Sequence, residues 1–360
     1  MWRFGSQEKV CAKKRPSMKT PNLLRIVFLL FLTASSLCVA QTYTITDLGA
    51  LPGDDWTEGQ GINATGQISG ASGNFNEEGS GSVVFVYNNG ALTNLGTLGG
   101  IWGIGNGINA SSQVAGYSTN AEGTYRAFIS EGDTLVDIGD LGGGAAVGYG
   151  INDLGQVVGS SVTADGSNHP FLYSNGQMID LGTLGSPNGN DWWNAAQGVN
   201  NSGVVTGTSY NAEGNFLAFV WNNGTMTALG TLGGSWSQGY AINNNGQVTG
   251  IAYLKNGLAH AFITTANGTL KDLGVLGGKY ATTWGLGIND SGVVVGQCAP
   301  DKGGYLAFVY SGGKIRNLNR LIPKKSGWVL NDATGINNAG QIVGYGQHKG
   351  QTHAFLLTPQ

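Results

Sequence analysis

Short apolar stretches alternate with polar turns along the whole chain after residue 40. One pattern marks this alternation, Gly-Ile-Asn-x-x-Gly-Gln-Val-x-Gly, seen in its full form at Gly150–Gly159. Its Asn recurs at intervals of 43 to 48 residues, at Asn63, Asn109, Asn152, Asn200, Asn243, Asn289 and Asn337. Repeats of this length are typical of β-propellers or of helical arrays.

Each repeat predicts four short β-strands. The first approaches the marker Asn, and the turn Asn-x-x-Gly then reverses the chain, because Asn and Gly accept the positive φ of a tight hairpin. The second strand follows this turn, as at Gln156–Gly159. The third strand carries a Phe, which is Phe85, Phe128, Phe171, Phe219, Phe262, Phe308 and Phe355 in the seven repeats. The fourth strand ends in Asp-Leu-Gly or a similar sequence, as at Asp180–Gly182. Four antiparallel strands joined in this way form one propeller blade.

The two ends of the repeat region complement each other. The seventh repeat stops at its third strand, Phe355–Leu357, and the segment Tyr43–Gly49 reads as an unattached fourth strand. We therefore predict an all-β fold, a seven-bladed β-propeller of four-stranded antiparallel blades, which forms a single domain over residues 41–360. The N-terminal strand completes the last blade and closes the ring, which covers edges that would otherwise invite aggregation.

Composition agrees with this prediction. Gly accounts for 63 of the 360 residues, and each interior Gly costs a helix about 1 kcal/mol relative to Ala, which excludes the helical arrays. Only 8 residues are Pro, too few for collagen, and the 41% of apolar residues is too high for a disordered chain.

Residues 1–40 are predicted to be a cleaved signal peptide. Basic residues precede an apolar run over Ile26–Val39, and small residues lead to a cleavage point before Gln41. Met18 is an alternative start that gives the basic region an ordinary length. About fourteen apolar residues are too few to span a bilayer comfortably. The mature protein is therefore expected to be extracellular or periplasmic, without a membrane span.

Removal of this segment leaves 11 Lys and Arg against 20 Asp and Glu, a net charge of −9. Such a balance disfavours nucleic acid as a partner, because binding phosphates needs a basic surface. The one basic cluster is interpreted as a solvated edge in preference to a polyanion site; it contains Lys314, Arg316, Arg320, Lys324 and Lys325. Only Cys298 remains, which excludes an intrachain disulfide and a Cys-based metal site. We predict a monomer without a cofactor.

Seven of the nine Trp lie in the connections between repeats. Their rings could form a crown that stacks on sugar rings, with nearby carboxylates binding hydroxyl groups. The candidate ligand-binding residues are Trp56, Trp102, Trp192, Trp193, Trp236, Trp284, Trp328, Asp54, Asp55 and Asp191. The alternative is that each Trp packs between neighbouring blades. Trp192 and Trp193, in a longer connection, are expected to be the most exposed.

Catalytic chemistry has no clear signature. His169, His260 and His353 each stand two residues before the third-strand Phe, and this recurrence indicates a structural role in place of a metal or catalytic site. Loop acids could form a carboxylate pair for glycoside hydrolysis, but the sequence selects no pair. We therefore predict a secreted protein that binds a glycan or other polymer. The alternatives are a polysaccharide lyase or glycoside hydrolase at the central channel, and a structural or adhesive envelope protein.

These motifs resemble the repeat of the bacterial extracellular HAF-repeat family. The matching segments are Asn94–Gly100, Gly150–Gly159 and His260-Ala261-Phe262, and the resemblance covers residues 42–358 in seven copies. It implies a secreted bacterial protein and supplies no catalytic residues. Most copies depart from His-Ala-Phe, which argues against a functional His at this position.

Overall fold

The computed structural model describes residues 41–74, 80–185 and 193–360. The predicted signal peptide lies outside these residues and stays a prediction. In the part of the chain that is described, no helix has the length and apolar character needed to cross a membrane. The one helical element in that part is a 3₁₀ turn at Leu318–Arg320.

The described residues otherwise form short β-strands that follow the seven predicted repeats. An additional strand, β1, precedes them at Tyr43–Asp47. Repeat 1 contains β2 (Trp56–Ile62), β3 (Ile68–Asn74), β4 (Gly81–Asn88) and β5 (Ala91–Gly96). Repeat 2 contains β6 (Gly99–Ile108), β7 (Val114–Asn120), β8 (Tyr125–Glu131) and β9 (Thr134–Asp137). Repeat 3 contains β10 (Gly142–Ile151), β11 (Val157–Thr163), β12 (Asn168–Ser174) and β13 (Gln177–Asp180).

The remaining repeats follow the same order. Repeat 4 contains β14 (Ala195–Val199), β15 (Val205–Tyr210), β16 (Phe216–Asn222) and β17 (Thr225–Gly230). Repeat 5 contains β18 (Gly233–Ile242), β19 (Val248–Leu254), β20 (Ala259–Thr264) and β21 (Leu270–Asp272). Repeat 6 contains β22 (Thr282–Ile288), β23 (Val294–Ala299), β24 (Leu306–Ser311) and β25 (Lys314–Asn317). Repeat 7 contains β26 (Trp328–Ile336), β27 (Ile342–His348) and β28 (Gln351–Pro359).

Repeats 2 to 6 each form a separate four-stranded antiparallel sheet in which consecutive strands are neighbours. Repeats 1 and 7 belong to one eight-stranded sheet, joined by a single parallel bridge between Trp56 and Thr352. Within it, β1 pairs antiparallel with β28, from Tyr43 opposite Pro359 to Asp47 opposite Phe355. The predicted all-β fold of four-stranded antiparallel sheets is confirmed.

The core lies between neighbouring sheets. The third-strand Phe of every repeat has 0% exposure, and it shares a core cluster with apolar residues of the preceding repeat, as Phe171 of repeat 3 does with Ala127 and Ile129 of repeat 2. Opposite this Phe in each sheet stands a Gly, such as Gly250 opposite Phe262. A side chain there would overlap the carbonyl oxygen of Gln238. The repeated Gly therefore allows β18, β19 and the Phe ring to approach closely.

The marker Asn residues organise the turn after each first strand and also link neighbouring repeats. In repeat 1, Asn63 Oδ1 accepts hydrogen bonds from the backbone N–H groups of Thr65 and Gln67, at 3.1 and 3.0 Å. Asn63 Nδ2 donates to the carbonyl of Asn109, the marker of the next repeat, at 3.0 Å. The other six marker Asn side chains make the same bond to the marker of the following repeat. The last of them, Asn337, donates to the first marker, Asn63.

The first strands of all seven repeats line two adjoining cavities. Their volumes are about 200 and 300 Å³. Both share the apolar residue before each marker, for example Ile62 and Ile336, and the larger one is also lined by Gln60, Tyr149 and Tyr240. We call this space the central cavity.

Candidate functional site

The candidate Trp residues occupy different environments. Trp193 is 65% exposed, whereas Trp56 is 5% exposed and lies against Gly73. A ring as buried as that of Trp56 offers no stacking face to a ligand. The half-buried rings are Trp102, Trp236, Trp284 and Trp328. Trp192 and Asp191 lie outside the described residues.

Trp328 packs within the protein. Its ring stacks on His348 with centroids 4.7 Å apart and meets Phe355 edge-on at 5.9 Å. It also borders the core cluster that contains Leu330 and Ile342. Trp328 therefore follows the alternative interpretation, in which a Trp of the connection contributes to packing.

The acidic residues suggested as partners of the Trp rings, Asp54 and Asp55, have structural contacts. Asp54 Oδ2 accepts a hydrogen bond from Ser72 Oγ at 2.6 Å, and Asp54 lines a depression of about 340 Å³ between repeats 1 and 2. The backbone N–H of Asp55 donates to the carbonyl of Gly73 at 3.0 Å. These two acids do not line the depression that contains Trp193.

The structure brings two of the candidate rings, Trp193 and Trp236, to one depression. Phe216 lies between them, with centroid separations of 6.4 Å to Trp193 and 6.3 Å to Trp236. Tyr210 packs on Phe216 at 4.9 Å. The depression has a volume of about 250 Å³ and is lined by Trp193, Tyr210, Phe216, Trp236 and Gln238. We call it the aromatic groove.

Local strand pairing positions these rings. Tyr210 ends β15 and Phe216 begins β16, and the two residues stand opposite each other across the turn between these strands. Trp236 lies in β18 of the next repeat, where its ring packs on Tyr253 of β19 at 4.3 Å. The groove therefore straddles repeats 4 and 5, with each half fixed by a β-hairpin.

One hydrogen bond links a residue of the groove to a residue of the central cavity. The Tyr240 hydroxyl donates a hydrogen bond to Gln238 Oε1, and Tyr240 lines the central cavity. Burial raises the pKa of Tyr240 well above its usual value. A neutral hydroxyl thus holds the amide of Gln238 at the groove.

Sequence reasoning identified Trp193 and Trp236 but missed Tyr210, Phe216 and Gln238. A signal for Phe216 is present, since an aromatic residue stands three positions before the third-strand Phe in repeats 2, 4 and 6. These residues are Tyr125, Phe216 and Tyr305. Tyr125 and Tyr305 are exposed, and Tyr305 meets Trp284 edge-on at 6.4 Å. No sequence signal singled out Tyr210 or Gln238.

A half-buried carboxyl group in repeat 1, Glu58, and a buried one in repeat 7, Asp332, occupy the same position, five residues before the marker. Asp332 is 4% exposed; its Oδ2 accepts a hydrogen bond from Tyr345 at 3.1 Å, and Oδ1 has no partner among the described residues. Burial, with the negative charge of Glu58, raises the pKa of Asp332 to about 7. Burial also raises the pKa of Glu58, whose Oε2 accepts from Gln60 Nε2 at 3.3 Å.

The three His residues that stand two positions before the third-strand Phe pair with Asp on the adjacent strand. His169 contacts Asp180 and His260 contacts Asp272, both at 2.9 Å, and His353 contacts Asp47 of β1 at the same distance. Each Asp also accepts from the N–H of a Gly two residues later. These contacts agree with the structural role predicted for His169, His260 and His353. Within the described ranges, no group of three or more His, Cys, Asp or Glu could hold a metal ion.

Comparisons with known proteins identify distant structural similarity. No family model and no curated protein matches the chain. A TolB from Acinetobacter baumannii shares 13% identity over 66% of this chain, with a TM-score of 0.45; the match spans 59% of that protein, less than two thirds. A lectin from Burkholderia pseudomallei shares 9% identity, covering 88% of this chain and 95% of the lectin, with a TM-score of 0.42.

A third similar structure is the Aleuria aurantia lectin, described as a six-bladed β-propeller with a fucose recognition mode. It shares 13% identity, covering 88% of this chain and 91% of the lectin, with a TM-score of 0.37.

Proposed function

We propose that this protein is a secreted seven-bladed β-propeller that binds a neutral glycan in the aromatic groove. Contacts among the described residues support both the closure of the ring and the binding chemistry of the groove.

Closure is supported at three levels. The side-chain amide of each marker Asn donates to the next marker, and the series returns from Asn337 to Asn63. Residues of all seven repeats line the central cavity. Strand β1 adds a fourth strand to repeat 7 through its pairing with β28. In this proposal, the chain closes because its N-terminal strand completes the blade begun by its C-terminal strands.

The observation that carries the function is the composition of the groove. Four of its five described lining residues are aromatic, the fifth is an amide, and none is charged. Aromatic faces stack on the C–H faces of sugar rings, and an amide supplies directed hydrogen bonds to hydroxyl groups. A charged polysaccharide would find no counter-charge among these residues. A neutral glycan therefore fits this surface best.

Binding is a better interpretation than hydrolysis. Asp332, with its raised pKa, has the protonation that a general acid requires near neutral pH. However, it is 4% exposed and lines neither the groove nor the central cavity. A glycosidic oxygen could not come within hydrogen-bond distance of this carboxyl. The groove itself contains no carboxylate among its described residues.

Secretion belongs to the same proposal. The basic and apolar pattern of residues 1–40 supports export, and the resemblance to the HAF-repeat family supports an extracellular or periplasmic location. A purely adhesive role would also follow secretion. It would not require an uncharged aromatic groove that spans two repeats.

The test is binding of the purified protein to a panel of neutral polysaccharides, such as xylan, mannan and β-glucan, and of anionic ones, such as alginate and pectin. We expect binding to a neutral member, with affinity reduced about tenfold or more by Trp193→Ala and by Trp236→Ala, because central aromatic contacts dominate binding energy. The matched control is Tyr280→Ala, which removes a ring that is 67% exposed outside the groove.

Two results would contradict the proposal. One is preferential binding to the anionic polysaccharides, and the other is unchanged binding by Trp193→Ala. Because Trp193 is exposed, its replacement should leave the thermal unfolding midpoint unchanged, which separates loss of binding from loss of folding.

A further inference from the structure

A second cavity lies at repeat 6, apart from the aromatic groove. It has a volume of about 360 Å³, within the range of small-molecule pockets. Four half-buried aliphatic side chains line it, together with two Arg. The aliphatic residues are Leu276, Leu306, Ile315 and Leu321. They come from the connection before repeat 6, from β24 and β25, and from the segment that follows the 3₁₀ turn.

The two Arg residues belong to the basic cluster that sequence analysis interpreted as a solvated edge. Arg316 lies on β25, where its Nη1 donates to Ser311 Oγ at 2.9 Å and to the carbonyl of Ser311 at 3.3 Å. These bonds hold the guanidinium at the cavity. Arg320 is the last residue of the 3₁₀ turn, and its side chain is exposed.

Neither guanidinium has an acidic partner in the part of the chain that the structure describes, where Arg126 is the Arg that forms ion pairs. No Asp or Glu is among the described residues that line the cavity. Two Arg without an acidic partner are unusual in a chain that has a net charge of −9 after the predicted signal peptide is removed, because acids then outnumber bases. Two Arg without counter-ions at an aliphatic cavity are complementary to an anion that carries an apolar body.

We propose that this cavity, the arginine pocket, binds an amphiphilic carboxylate, with its head group between Arg316 and Arg320 and its aliphatic tail against Leu276, Leu306, Ile315 and Leu321. Arg pairs with carboxylates through two parallel N–H···O bonds, which gives the head group a defined orientation. The tail gains free energy by leaving water for the aliphatic wall. This site is separate from the aromatic groove and does not depend on glycan binding.

Isothermal titration of the purified protein with decanoate, kept below its micellar concentration, tests the proposal. Acetate supplies the same head without the tail, and decanol supplies the tail without the charge. We expect saturable binding of one decanoate per chain. Acetate and decanol should each bind at least about tenfold more weakly, because each lacks one of the two interactions.

Two variants locate the binding. Arg320→Gln removes one charge with little change in shape and should weaken decanoate binding about tenfold or more. Lys325→Gln removes a charge from the same basic cluster at a residue that does not line the cavity, and it should leave the affinity within about twofold. The variant Trp193→Ala should also bind decanoate normally.

Three results would overturn the proposal: unchanged affinity in Arg320→Gln, an equal loss in Lys325→Gln, or acetate binding as tightly as decanoate. The last two would indicate a general attraction of anions to the basic edge. Normal thermal unfolding of Arg320→Gln would show that any loss arises at the pocket. Failure here leaves glycan binding untouched, because the two sites share no residue.

Discussion

Asn337 Nδ2 donates a hydrogen bond to the carbonyl oxygen of Asn63 at 3.0 Å, across 274 residues of sequence. The same Asn337 stabilises its own turn, because its Oδ1 accepts from the N–H groups of Ala339 and Gln341 at 3.1 and 3.0 Å. One side chain thus fixes a local hairpin and joins the last repeat to the first. The six other markers make the equivalent bond to the following repeat.

Replacement of Asn337 by Ala should therefore destabilise the protein beyond the loss of a turn. Asn337 is 6% exposed. Its removal deprives the Asn63 carbonyl of one of two hydrogen bonds, the other coming from Gly66 N–H, and leaves the N–H groups of Ala339 and Gln341 without their partner. We expect the free energy of unfolding to fall by about 2–3 kcal/mol. Urea denaturation measures this change.

The matched control for this experiment is Asn88→Ala. Asn88 is an exposed Asn at the end of β4, and its replacement should change stability by less than about 0.5 kcal/mol. If both variants lose the same stability, the marker Asn has no special role in linking the repeats.

The N-terminal strand gives a second prediction. Deletion of residues 42–48 removes β1 and exposes the edge of β28, which then offers unpaired backbone groups to other chains. It also removes Tyr43, which is 4% exposed and packs in the cluster with Leu318 and Phe355. We expect a lower thermal unfolding midpoint and aggregation, measured by calorimetry and light scattering.

The control for this deletion is Thr44→Ala, which keeps strand β1 and changes one exposed residue in it. This variant should unfold at the same temperature as the wild type. A deletion variant that melts at the wild-type temperature and stays monomeric would contradict ring closure by β1.

The sequence predicted the repeating part of this structure well, because turn chemistry is local. The marker Asn, the buried Phe and the Asp-Leu-Gly turn recur at regular spacing, and each has the same structural role from repeat to repeat. The aromatic groove was predicted only in part. Trp193 and Trp236 stood out by residue type, but their meeting at Phe216 depends on the packing of two repeats. Asp332 was missed because burial, which raises its pKa, is set by tertiary structure.

The Gly that follows each marker by seven residues gives a third prediction. At Gly250, an added Cβ would overlap the Gln238 carbonyl and lie 3.0 Å from the Phe262 ring. Since neither neighbour can move without disrupting the sheet, Gly250→Ala should cost about 3 kcal/mol or more of unfolding free energy.

The control is Gly304→Ala, at a site where an added Cβ has no heavy atom within 4 Å. This change should alter stability by less than about 1 kcal/mol, and it could raise it by restricting the unfolded chain. Equal effects at Gly250 and Gly304 would show that close strand approach is not the reason for the repeated Gly.

Asp332 gives the last prediction, a pH dependence of stability. Its pKa is raised to about 7 in the folded protein, from an ordinary value of 3.8. Between these values the folded state holds a proton that the unfolded state has released, so stability falls as the pH rises from about 4 to about 7. The slope from this one group reaches at most about 1.4 kcal/mol per pH unit. Asp332→Asn keeps the shape, removes the titration and should flatten this slope.

The measurement is urea denaturation of the wild type and of Asp332→Asn at pH 4.5, 6.0 and 7.5. The difference between the two proteins isolates Asp332 and its electrostatic coupling to Glu58, because groups outside this pair, including the His–Asp pairs, are common to both. We expect the variant to gain stability relative to the wild type as the pH rises, and to be the more stable of the two at pH 7.5. A stability difference that stays constant across the three pH values would show that Asp332 does not retain its proton in the folded protein.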